Sequence, residues 1–250
     1  MKNNRALLIT IIIIVALFIG AIIFVPQLSK TTDGGEGQGD TNTSLDISKY
    51  DVTKVIPANE DNGGIDEHIK GNISKAKVVL YEYADYQCSG CATVNPWMKE
   101  LKKEYGDDLA IVFRVYPLTS IHPSAISAAS AVEAAGLQGY WEEFGDLVFA
   151  NQAEWFYATG DKLINYFANY LTTVSQGNAD IAQFKSDMAS DKVKAKVNFD
   201  KAIAESLNLN ATPSFVDDAG NEIDWTTDTE QTKSGIQGFF RNYINKKLGK

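Results

Sequence analysis

The chain has 250 residues, with 23 Lys and Arg against 32 Asp and Glu and a formal net charge of −9. At roughly 100–200 residues per domain it holds one domain, or one domain with an insertion, and it can form a core without disulfide staples. The acidic balance argues against nucleic-acid partners, which need clustered Lys and Arg, and two cysteines alone, Cys88 and Cys91, exclude a disulfide scaffold.

Lys2 and Arg5 precede an apolar run from Ala6 to Val25 that only Thr10 interrupts. About 20 such residues span a bilayer core, and Phe24-Val25-Pro26-Gln27-Leu28 offers no small-x-small cleavage site. The expectation is a cytoplasmic stub at 1–5 and an uncleaved transmembrane helix at 6–25, hence a single-pass cell-membrane protein. The positive-inside rule then puts everything after Pro26 outside the cytoplasm. Residues 26–47 read as a flexible linker, because Thr31 to Thr43 offers no apolar residue to hold a core. The folded domain is expected over 48–250.

Asp61-Asn62-Gly63-Gly64 reads as a turn and Ile65–Lys70 as a short helix. Lys77–Tyr83 is apolar on both alternating faces, as a buried strand requires. After it, Val94, Trp97, Met98, Leu101 and Tyr105 recur at helical spacing, Gly106 ends the helix, and Pro96 is expected to kink it. Ile111–Tyr116 is the next strand, so the cysteines lie at the helix N-terminus of a βαβ unit. Ala125–Ala135, Tyr140–Ala150, Asp161–Leu171 and Ile181–Leu207 read as helices, the last broken near Asp191. A strand at Ser214–Val216, a turn, a second strand at Glu222–Asp224 and a helix from Thr229 to Leu248 close the chain. The fold class is α/β, with an all-helical subdomain inserted at about 120–207.

Cys88 and Cys91 form a Cys-x-x-Cys pair. A thiol reacts as its thiolate, and a helix N-terminus stabilises that anion with free N–H groups and the helix dipole. The first sulfur is then the exposed one that attacks or is attacked, and the deeper second one resolves the mixed disulfide. Three other readings stand beside this. A zinc site needs four ligands, and only His68 and His122 are left to add. Haem attachment needs His after the second cysteine, where Ala92 stands. An inert disulfide closing so small a loop gains little chain-entropy stabilisation.

The stretch from Glu67 to Cys91, with Tyr81-Glu82-Tyr83-Ala84-Asp85-Tyr86-Gln87 before the pair, resembles the DsbA-like thiol–disulfide oxidoreductases of the thioredoxin superfamily. The likeness continues through His122-Pro-Ser-Ala, Tyr140–Gln152 and Leu209-Asn-Ala-Thr-Pro-Ser-Phe215, so it covers most of the chain from about residue 48. It implies a thioredoxin-like fold, a central mixed sheet flanked by helices. It also implies that Pro213 is the family's cis-proline facing the cysteines, with Thr212 before it pairing its backbone with a bound peptide. Glu82, six residues before Cys88, resembles the buried acid that accepts the second cysteine's proton; the residues alone show a carboxylate in an apolar strand, which a solvated strand end would also explain. The departure is the dipeptide Ser89-Gly90, where strong oxidants of the family carry Pro-His.

Asp85 reads as a turn residue. His122 reads as a helix-start residue with a local hydrogen bond, or as a proton carrier near the pair. The aromatic residues of 140–157 read as subdomain core with exposed members available as a peptide platform. The expected function is an extracytoplasmic thiol–disulfide oxidoreductase acting as a disulfide-forming oxidase on cysteine-containing proteins. It needs no metal or organic cofactor, since electrons move between sulfurs, and the resemblance implies a quinone-linked membrane partner for reoxidation. A reductase or isomerase on the same fold, or a non-catalytic peptide-binding module, are the alternatives.

Overall fold

Dense β-branched and aromatic residues set the strands, and helical apolar spacing fills the rest. The computed structural model describes residues 45–226 and 229–250, and of 229–234 the backbone alone. A short 3-10 turn at Ile47–Lys49 leads to strands β1 (His68–Lys70) and β2 (Val78–Ala84), helix α1 (Ser89–Tyr105) and strand β3 (Leu109–Val115). Helices α2 (Ala125–Gly136), α3 (Trp141–Ala150), α4 (Gln152–Trp155), α5 (Gly160–Val174), α6 (Ile181–Met188) and α7 (Asp191–Ser206) follow before β4 (Ser214–Asp217) and α8 (Thr229–Lys247). The sheet order is β1-β3-β2-β4. β2 and β3 are parallel, as the α1 crossover requires, while β1 and β4 add antiparallel edges. This is a mixed four-stranded sheet flanked by helices, a thioredoxin-like fold with a helical insertion between β3 and β4.

Strand side chains alternate between faces, and each face has its own cover. Val78, Leu80, Leu109, Ile111 and Phe215 pack against Val94, Met98 and Leu101 of α1 and Phe239, Phe240 and Ile244 of α8. Tyr81, Tyr83, Val112 and Val216 pack against Phe199 and Ile203 of α7 and against Ile47 and Ile56. The insertion's core joins the sheet where β2 and β3 end, at Ala84, Tyr86, Phe113 and Val115. The cysteine pair therefore sits where two cores meet.

One buried cation fastens the N-terminal segment to this frame. Arg114 of β3 is fully buried with Glu67, its Nε 2.5 Å from Oε1. Its other nitrogens donate to the Val52 carbonyl at 2.7 Å, the Lys54 carbonyl at 2.9 Å and the Tyr83 hydroxyl at 2.7 Å. Glu67 Oε2 in turn accepts the Ile56 amide at 2.8 Å.

Several sequence expectations change here. Residues 68–70 are a strand, not part of a helix, because they pair with the otherwise free edge of β3, His68 opposite Phe113. Glu222–Asp224 does not form a strand; Val216 and Glu222 make a single bridge. α1 runs through Pro96 as one element, and the break in the closing helix falls at Gly235, whose φ of 70° favours glycine. The expectation of a transmembrane helix, and with it a cell-membrane, extracytoplasmic location, is corrected. No helix among the described residues is long and apolar enough to cross a membrane. Even the 19-residue α8 carries Arg241, Lys246 and Lys247. The run at 6–25, the stub at 1–5 and the linker up to residue 44 lie outside the described residues.

Candidate active site

The βαβ connection sets the site. β2 ends at Ala84, the chain turns through Asp85-Tyr86-Gln87, and Cys88 becomes the N-cap of α1. Both cysteines are free thiols. Cys88 keeps 9% of its surface exposed and Cys91 none, so the first sulfur lies at the bottom of the surface rather than standing clear of it.

The two sulfurs have opposite acidity. The Cys88 thiol is lowered to about 5, first because the Cys91 thiol hydrogen-bonds to it, against the opposing effect of burial; the Thr212 hydroxyl and the Cys91 and Gly90 amides add to the lowering. Burial pushes Cys91 well above the ordinary thiol value, and its bond to Cys88 raises it further. The Thr212 hydroxyl has no hydrogen-bond partner in the dithiol form. It is therefore a donor available to whichever sulfur takes the negative charge.

The chain that precedes β4 supplies the opposite wall. As a neutral thiol, Cys88 donates to the Thr212 carbonyl at 3.3 Å, and the Thr212–Pro213 peptide is cis. A Cβ at residue 90 would lie 3.3 Å from Pro213 Cδ and 3.6 Å from the Cys88 sulfur. Glycine in the dipeptide thus allows the close approach of the two walls. No sequence signal pointed to this role, because the partner is distant in the chain.

Glu82 lies on the face of β2 that α1 covers, level with Phe113 on one neighbouring strand and Phe215 on the other. It is fully buried, and neither carboxylate oxygen has a hydrogen-bond partner, Cys91 included. Burial raises its pKa, an effect that Lys70 opposes and Asp146 reinforces. Lys70 donates to Asn95 Oδ1 at 3.0 Å, and Asn95 donates to Asp146 at 2.8 Å.

A raised carboxyl pKa means that the folded chain binds this proton more tightly than the unfolded chain. Its contribution favours the fold at low pH and is lost as pH rises above the unfolded value near 4.5. Glu82→Gln should therefore be more stable than the parent at pH 8, where Glu82 must otherwise either bury its charge or hold its proton against the solvent, and should gain almost nothing at pH 4. Urea unfolding at both pH values checks this; an equal difference at the two would remove burial of the charge as its cause.

The main chain of His122 makes the local helix-start bond expected, its carbonyl accepting the Ala125 amide at 3.2 Å, while its side chain reaches further: Nδ1 lies 2.7 Å from Asp85 Oδ2, 37 residues away. Asp85 is the turn residue expected, its Oδ1 accepting the Gln87 amide at 2.8 Å. Trp155, Phe144 and Phe149 are buried in the insertion, whereas Tyr157 is exposed. Among the described residues no group of three or more His, Cys, Asp or Glu is placed to hold a metal ion.

The cysteine turn at the start of α1 and the Thr212–Pro213 wall thus face each other at one end of a thioredoxin-like sheet. Residues 65–237 match the family described as Thioredoxin, and the chain belongs to it. It is 35% identical over 162 residues to the protein named Na(+)/H(+) antiporter NhaA 1 of Mycolicibacterium vanbaalenii, covering 64% of this chain and 24% of that one. The chain thus spans about a quarter of that relative's length, and the transporter name describes the relative. Among solved structures, BdbD from Bacillus subtilis aligns with a TM-score of 0.59 at 16% identity, covering 78% of this chain and 98% of that one. Wolbachia pipientis alpha-DsbA1 aligns at 0.56 and 22% identity, covering 73% and 91%. Both likenesses are of fold.

Proposed function

We propose that this domain is a thiol–disulfide oxidoreductase that works as a disulfide-forming oxidase on cysteine-containing proteins. Membership of the thioredoxin family and the DsbA-like fold support thiol–disulfide exchange in general. The observation that carries the oxidase direction is the split in acidity, Cys88 at about 5 and Cys91 pushed far up. A stabilised Cys88 thiolate stabilises the reduced pair, which makes the disulfide a strong oxidant, and it also makes Cys88 a good leaving group.

In the forward reaction a client thiolate attacks Cys88 of the Cys88–Cys91 disulfide. The S–S bond breaks, a client–Cys88 bond forms, and Cys91 departs as a thiolate that is protonated, with Glu82 as the buried acid that handles that proton. A second client thiolate then attacks the client sulfur and expels the Cys88 thiolate. The client leaves with a new disulfide and the pair holds two electrons, which a quinone-linked partner would remove. Thr212 and Pro213 form the wall along which the client backbone lies. Electrons pass between sulfurs throughout, so the exchange itself calls on no metal or organic cofactor.

Equilibration of the purified protein with glutathione measures the direction. The expected reduction potential lies near the oxidising end of the family scale, about −120 mV; a value near about −270 mV assigns the reductase direction instead. Unchanged activity in Cys88→Ser would favour a non-catalytic peptide-binding module.

A further inference from the structure

The turn that carries the cysteines does not stand on its own hydrogen bonds. Gln152 Nε2 donates to the Tyr86 carbonyl at 2.9 Å. Gln87 accepts the Ser124 amide at 2.7 Å and donates to the Phe156 carbonyl at 2.8 Å. Asp85 Oδ2 accepts both the Leu118 amide at 2.8 Å and His122 Nδ1 at 2.7 Å. Each of these contacts reaches into the insertion or the loop that leads to it.

Asp85 is the hub, because its main chain touches both cysteines. Its carbonyl accepts the Cys88 amide at 3.0 Å, and its own N–H donates to Cys91 Sγ at 3.4 Å. A thiol whose sulfur accepts one hydrogen bond has its S–H free to point elsewhere. Here that direction is Cys88, and the Cys91 bond is the first cause of the low Cys88 acidity constant. The Asp85 side chain is buried with no exposure and His122 keeps 15%, so no water layer separates the anchor from its carboxylate.

We infer that Asp85 and His122 form a positioning pair for the redox couple: His122 anchors the Asp85 carboxylate, which fixes the Asp85 amide on Cys91 and directs the Cys91 S–H onto Cys88. The inference rests on the exchange function proposed above. Neither residue transfers electrons. Their effect is on which sulfur holds the charge and how strongly. The anchor needs an N–H at the Nδ1 position, which protonated imidazole and the Nδ1–H tautomer of neutral imidazole supply.

The experiment uses the full chain. Two quantities are measured: the pH midpoint of Cys88 alkylation by iodoacetamide, and the equilibrium constant against glutathione. His122→Ala, and His122→Phe as a ring of similar size without the donor, should raise the midpoint by about one pH unit. The oxidising power should fall about tenfold, which is about 30 mV for a two-electron couple. His122→Asn, whose Nδ2–H stands where Nδ1–H stood, should restore both values to within about twofold of the parent, as expected when the donor rather than the ring is what matters. Circular dichroism identifies any variant that fails to fold, and the remaining one of the Ala and Phe pair then decides. Unchanged values in a folded donorless variant overturn the inference. So does an Asn variant that behaves like Ala, since the imidazole charge rather than the anchor would then be acting. A parent protein that never equilibrates with glutathione sinks the exchange function instead, while the alkylation midpoints still report on the pair.

Discussion

Cys91→Ala should trap a mixed disulfide between Cys88 and a client peptide that carries a single cysteine. With one client cysteine, the only route back within the complex is attack by Cys91, and removing that sulfur leaves external thiol as the only way out. A neighbouring group held in place acts at an effective concentration far above the millimolar level of added glutathione, so the adduct should persist about 10³-fold longer. Cys88→Ala should form few adducts, for two reasons on the same residue. Cys91 has no exposed surface, and burial holds its thiol largely protonated. Non-reducing gels of the two variants, mixed with the same activated peptide, compare the adducts directly. Equal yields from both would overturn the order in which the sulfurs act.

Arg114→Met should be the most costly single change outside the redox pair. It leaves Glu67 charged in a fully buried position and strips the Val52 and Lys54 carbonyls of their donor. Breaking one side of a buried ion pair costs about 3–5 kcal/mol, and in a chain of this size that corresponds to a Tm fall of about 10 °C. Adding Glu67→Gln should recover part of the loss, because the stranded charge is the larger part of the penalty. Urea titration of the single and double variants measures both. A loss below about 1 kcal/mol in Arg114→Met would show that water reaches the pair.

What the sequence revealed and what it hid divide by distance along the chain. The apolar spacing after Cys91 and the Ala-rich run after Ser124 carry their helices within a few residues, and the elements found are α1 and α2. His68-Ile69-Lys70 is too short to show any period, and its state is decided by the open edge of β3. The carboxylate of Glu82 in an apolar strand was visible, but its enclosure between Phe113 and Phe215 depends on the register of three strands. The cysteine pair announced itself, since its spacing is local. The contact of Gly90 with Pro213 and the bond of His122 to Asp85 link residues that no local pattern relates. The apolar run at 6–25 lies outside the described residues, and none of the described helices is long and apolar enough to cross a membrane.

The long reach of the bonds that hold the cysteine turn has a consequence for how the chain folds. Asp85, Tyr86 and Gln87 meet partners 33 to 69 residues further along. The Tyr86 and Gln87 bonds close loops about twice as long as the pairing of β2 with β3, at a greater cost in chain entropy, so they form later than the β2–α1–β3 unit. A chain with only that early unit assembled already holds the Gly90 and Cys91 amides beside Cys88, but its cysteine turn lacks the Thr212 wall and the bonds to Gln152 and Phe156. Docking of the inserted helices is thus the step that locks the turn beneath the two sulfurs into its final shape.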